Sequence, residues 1–158
     1  GNSTITFNNG SGNYGVKVGE LVTMASLTNM TIRGEGSGAG SKGVIVGSEE
    51  MDATGTVTMA DVRISNIDKG VWVSRGTVTM NMTGVNISGV KMGVEAMGGT
   101  LVINGESRIT FNNGAGNYGV KVGELVTMAS LKSVTIEGTG SGTSGSGEGS
   151  KGVIVDRT

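Results

Sequence analysis

Residues 7–27 read FNNGSGNYGVKVGELVTMASL, and residues 111–131 read FNNGAGNYGVKVGELVTMASL. Widened to Ser3–Gly34 against Ser107–Gly138, the two copies agree at 26 of 32 positions with a constant offset of 104. Lys42-Gly43-Val44-Ile45-Val46 then returns as Lys151-Gly152-Val153-Ile154-Val155, with five extra residues inserted ahead of it. Within this long period lies a shorter one. The unit Gly-Val-x-Val, or a variant, starts at Gly15, Gly43, Gly70, Gly93, Gly119 and Gly152. A second unit, close to Gly-x-Val-x-Met, starts at Gly55, Gly76 and Gly99, and appears as Gly-Glu-Leu-Val-Thr-Met at Gly19 and Gly123. A third includes Met30-Thr31-Ile32, Val62-Arg63-Ile64, Val85-Asn86-Ile87, Arg108-Ile109-Thr110-Phe111 and Val134-Thr135-Ile136. Apolar positions stand two apart in each unit, which is the period of a strand with one buried face and not of a helix. Valine, isoleucine and threonine, which suit a pleated, half-buried surface, dominate them.

Three short strands recurring in fixed order, about every 21 to 33 residues and without helices, are the mark of a solenoid. The predicted fold is therefore all-β: a right-handed parallel β-helix with three short strands per coil and about five to six coils. A partial turn ends at Val18, and full coils run Gly19–Val46, Gly47–Val73, Ser74–Ala96, Met97–Val122 and Gly123–Val155. Three inward faces cover one another, which meets a parallel sheet's need for burial. Residues 1–158 form one domain, with Gly/Ser-rich corner loops at 34–42 and 138–150 projecting from it. Gly15, Gly43, Gly70 and Gly119 are placed at corners, where positive φ or close backbone approach is needed. Neither terminus carries a recognisable cap, so the chain is expected to be a fragment of something longer, or to self-associate through its open ends.

Composition removes several kinds of chemistry. The chain has no cysteine and no histidine, which excludes disulfides, thiolate metal sites and any Ser-His-Asp arrangement. A net charge of −1 gives no broad attraction to nucleic acid. Gly140-Ser-Gly142-Thr-Ser-Gly145 satisfies G-x-G-x-x-G, but the following Ser146-Gly147-Glu148-Gly149 will not make the helix a dinucleotide site needs. Glu49-Glu50-Met51-Asp52 is the densest acidic cluster; calcium is one reading of it and a solvated loop the favoured one. Asp52, Asp61, Asp68 and Asp156 fall at different coil positions, and a pairing such as Asp61 with Glu106 is the remaining route to a polysaccharide-cleaving enzyme. No cofactor and no metal site are expected, and the chain reads as non-enzymatic.

The outward position of Gly-Val-x-Val carries more information. Coil by coil it is Lys17, Ile45, Trp72, Glu95, Lys121 and Ile154. The residue before each glycine is Tyr14, Lys42, Lys69, Met92, Tyr118 and Lys151. Trp72 and Ile45, bordered by Lys17, Lys42, Lys69 and Tyr14, make an aromatic-aliphatic patch rimmed by lysines, the composition of a protein-binding hot spot. The competing expectation is that Trp72 simply packs against a neighbouring aliphatic or loop.

Asn13-Tyr14-Gly15-Val16-Lys17-Val18, Gly76-Thr77-Val78-Thr79-Met80, Ile87-Ser88-Gly89-Val90 and the Ser-Lys-Gly-Val-Ile-Val segments at Ser41 and Ser150 resemble coils of Bartonella-type inducible autotransporter passenger domains. This BafA-like family contains pro-angiogenic factors and adhesins. The resemblance implies a protein secreted or displayed on the bacterial cell surface as a virulence factor. Its implied partner is a host cell-surface glycoprotein or receptor, most specifically a vascular endothelial growth factor receptor, with erythrocyte adhesion as the alternative. It supplies no catalytic or receptor-contact motif.

Overall fold

The computed structural model describes residues 2–140 and 150–156, so most of the second Gly/Ser segment, 138–150, lies outside the described residues. Eleven strands are present: β1 Ser3–Asn8, β2 Tyr14–Val18, β3 Met24–Glu35, β4 Lys42–Val46, β5 Thr56–Val73, β6 Thr79–Thr83, β7 Asn86–Asn104, β8 Ser107–Asn112, β9 Tyr118–Leu131, β10 Val134–Thr139 and β11 Lys151–Val155. Among the described residues there is no helix. Every pairing between named strands is parallel. The fold is all-β, with a many-stranded parallel arrangement consistent with a β-helix.

Register turns the sequence units into side-chain columns. Ile5, Ile32, Ile64, Ile87, Ile109 and Ile136 are successive partners across β1, β3, β5, β7, β8 and β10. Val16, Val44, Val71, Val94, Val120 and Val153 form a second column through β2, β4, β5, β7, β9 and β11. Val18, Val46, Val73, Ala96, Val122 and Val155 form a third. Burial follows position within a column. Ile32, Ile64, Ile87, Val44, Val71, Val94 and Val120 are all 0% exposed, whereas Val153 and Val155 at one edge are 46% and 64% exposed. Each fully buried valine or isoleucine contributes about 1.5–3 kcal/mol of burial free energy. Met59, Met80 and Met82 fill the same core, as adaptable apolar side chains do.

The glycine that opens each Gly-Val-x-Val unit makes room for the isoleucine column. A Cβ on Gly70 would stand 2.6 Å from the Gly93 carbonyl oxygen and 2.9 Å from Ile87 Cγ2. On Gly43 the same atoms belong to Gly70 and Ile64. Close backbone approach, and not positive φ, is therefore what these positions require.

Two expectations change. Strands of three to five residues merge into longer ones, β5 with 18 residues and β7 with 19. Single left-handed residues lie within them, Asp61 at φ 54° and Asn66 at φ 57° in β5 and Gly89 at φ 60° in β7; the β5–β7 ladder keeps its register past them, while the β7–β8 ladder shifts between Ile87 and Val90. The first Gly/Ser segment shrinks, because β3 runs to Glu35 and β4 starts at Lys42. What remains folds back instead of projecting. Asn9 Nδ2 donates to the Gly36 and Asn66 carbonyls at 2.9 Å each, Ser41 Oγ donates to Asn9 Oδ1 at 2.7 Å, and the Gly40 amide donates to the Asp68 carboxylate. Ser150 Oγ and Asn113 Oδ1, at 2.9 Å, repeat the Ser41–Asn9 bond in the second copy.

Candidate binding groove

The column carrying the candidate site is in place. Lys17 is opposite Ile45, Ile45 opposite Trp72, Trp72 opposite Glu95, and Glu95 opposite Lys121. Beside it run Tyr14, Lys42, Lys69, Met92 and Tyr118 in the same order. Alternation along each strand sends the flanking valines into the core and leaves this column on the opposite face.

Trp72 does not stand proud of that face. Only 8% of its surface is exposed. It lines two adjoining cavities, one of about 500 Å³ shared with Lys42, Lys69, Arg75, Glu95 and Met97, and one of about 170 Å³ shared with Lys17, Lys42 and Ile45. Ser48 and Glu49, from the segment between β4 and β5, line both. The reason is steric: an indole standing between the long side chains of neighbouring strands is walled in on several sides, so the patch becomes a groove with Trp72 in its wall. Five of the six expected residues, Trp72, Ile45, Lys17, Lys42 and Lys69, are gathered here. Tyr14 lines neither cavity and lies at the edge, 44% exposed.

A charged network that sequence reasoning did not identify stiffens one side of the groove. The Lys69 ammonium pairs with the Glu95 carboxylate, and their side chains are only 16% and 11% exposed. Tyr118, 4% exposed, hydrogen-bonds Glu95 as well. Burial, then the neighbouring Glu95 charge, pushes the Tyr118 hydroxyl well above the ordinary tyrosine range. The available signal was the register itself: once Gly70 and Gly93 are aligned, Lys69 and Glu95 fall on adjacent columns one strand apart. At the other side Arg75 reaches the Glu49 carbonyl at 3.3 Å and the Asp52 carboxylate at 3.9 Å. A hydrogen bond from Ser48 holds the Glu20 carboxyl below its usual range.

The remaining acids are dispersed. Asp68 pairs with Lys91 at 3.8 Å and Asp156 with Lys121 at 3.5 Å. Asp61 borders a cavity lined by Asn2, Asn29, Met30, Thr31 and Arg63, without Glu106. Among the described residues no three ligating side chains converge on a point where a metal ion could sit. The chain matches no known protein family, no curated protein and no solved structure.

Proposed function

We propose that this chain is a right-handed parallel β-helix of three strands per coil and five to six coils, and that it works as a binding module without chemistry of its own. Two features support the coil reading: partners in each column are one sequence unit apart, and three inward-facing columns share one core. The resemblance to autotransporter passengers supports a location outside the bacterium, secreted or on the cell surface. There it docks a host cell-surface glycoprotein, with agonism at a vascular endothelial growth factor receptor as the specific reading. The observation that carries the binding site is the convergence of Trp72, Ile45, Lys17, Lys42 and Lys69 on one groove. A recessed indole with an aliphatic neighbour and a polar, charged rim is how a hot spot excludes water while keeping orientation.

The test is binding of the purified chain to endothelial cells, with receptor phosphorylation as a second readout. Trp72→Ala weakens binding by about 2 kcal/mol or more. Lys42→Glu, at the rim and not in the core, weakens it without disturbing the fold. Unchanged affinity for both variants, with circular dichroism intact, removes the groove from the binding site. Firm attachment with a silent receptor replaces agonist by adhesin.

A further inference from the structure

Two arginines on the strands of the isoleucine column stand without partners. Arg33 lies in β3 and Arg63 in β5, and both are exposed. Thr31 is the register partner of Arg63, and Ser65 that of Arg33. The two arginines are therefore diagonal neighbours, about 8 Å apart at the backbone from strand spacing and rise. They line a cavity of about 320 Å³ with Thr31, Ser65, Asn86 and Ser88, and no acid lines it. Asp61 and Glu35, each two residues from one of these arginines, pair with neither of them among the described residues. The strands that supply the lining, β3, β5 and β7, each have a strand on either side. The repeat adds an internal control. Ser3–Gly34 and Ser107–Gly138 agree at 26 of 32 positions, and two of the six that differ are on this face: Thr4 against Arg108, and Arg33 against Glu137. In the second copy Arg108 and Glu137 neutralise each other at 2.9 Å. In the first, a threonine stands where that arginine is and Arg33 stands where that acid is, so the cation is left over.

We propose that Arg33 and Arg63 hold a sulfate group of an anionic polysaccharide. A guanidinium offers paired N–H donors in a fixed plane, which suits an oxyanion, and a sulfate ester is acceptor-only, which suits a lining of donors. Ser65, Ser88 and Asn86 continue from the arginines along the sheet and can both donate to and accept from sugar hydroxyls. Phosphate shares the oxyanion chemistry, but its two macromolecular sources fit poorly. A nucleic acid would want an aromatic ring for its bases, and none lines this cavity. A lipid headgroup would want apolar surface beside it to bury in the membrane, and the one apolar side chain in the lining, Ile64, is 0% exposed. The site shares no lining residue with the Trp72 groove and does not rest on the function proposed for that groove.

Isothermal titration of the full chain with a heparin tetrasaccharide, at one fixed salt concentration, tests this. The unaltered chain binds the sulfated oligosaccharide and takes its fully desulfated form at least about tenfold more weakly. Arg33→Glu, which supplies the second copy's side chain, and Arg63→Gln each weaken binding at least about tenfold. Both leave the urea midpoint unchanged, because neither arginine is buried or paired. Lys42→Glu, in the Trp72 groove, leaves the heparin affinity unchanged and so separates this site from that one. Absence of binding overturns the proposal, as does equal affinity for the desulfated oligosaccharide or indifference to both arginine variants. A loss on Lys42→Glu equal to that on Arg33→Glu overturns it too, by showing attraction to overall charge and not to a site. Tighter binding to vesicles carrying phosphatidylinositol phosphate than to the tetrasaccharide would replace the polysaccharide by a membrane.

Discussion

Tyr118 and Tyr14 share their sequence neighbours and differ in their surroundings. Tyr14 is 44% exposed at the edge, while Tyr118 is 4% exposed and hydrogen-bonded to Glu95. With its folded-state ionisation raised above the unfolded value of about 10, Tyr118 holds its proton more tightly in the folded chain. Its contribution is fully present below about pH 10 and is lost as pH rises from there towards the folded value. The expected result is a fall in stability above about pH 10 that Tyr118→Phe flattens and Tyr14→Phe does not, read from urea midpoints along a pH series. Near neutrality Tyr118→Phe costs about 1 kcal/mol for the hydrogen bond to Glu95. Glu95→Gln costs more, about 2 kcal/mol, because it leaves the half-buried Lys69 ammonium without its carboxylate. Equal midpoints for Glu95→Gln and the unaltered chain would show that this pair is energetically idle.

At the level of the strand, the Gly-Val-x-Val unit behaves according to what lies after it. Gly70 faces the Gly93 carbonyl and Ile87, both fixed by ladder hydrogen bonds and core packing, so Gly70→Ala forces a backbone shift and costs about 3 kcal/mol in chemical denaturation. Gly152→Ala stays within about 0.5 kcal/mol, because the nearest atom to a Cβ there, Ile136 Cγ2 at 3.8 Å, is at ordinary contact distance. Similar losses for both would mean the glycines serve local backbone freedom and not the packing of the next strand. This is also where reading from sequence was strongest. Val16, Val44 and Val71 were assignable to one column because the period-2 pattern leaves a single inward face, and a one-residue slip would have reversed it. The corners were less legible. A lone Asp61 or Asn66 in left-handed conformation looks like any polar residue in a strand unit, so the merging of short units into β5 left no composition signal. The burial of Trp72 was legible as the competing reading, packing against a neighbouring aliphatic or loop; what sequence alone did not bring beside it is the Ser48–Glu49 segment.

Across the whole molecule, stability should be graded along the stack and not uniform. Each row of strands touches mainly its neighbours, so opening starts where one neighbour is missing and propagates inward. The middle rows, Val62–Val73 of β5 and Asn86–Ala96 of β7, are covered on both sides and supply the fully buried Ile64, Ile87, Val71 and Val94. β1, β2, β10 and β11 are covered on one side. Native-state hydrogen exchange is therefore expected to find the slowest amides in those middle rows and progressively faster exchange towards both edges. Uniform exchange along the chain at low concentration would instead mean that the rows open together, and that their energies cannot be assigned row by row.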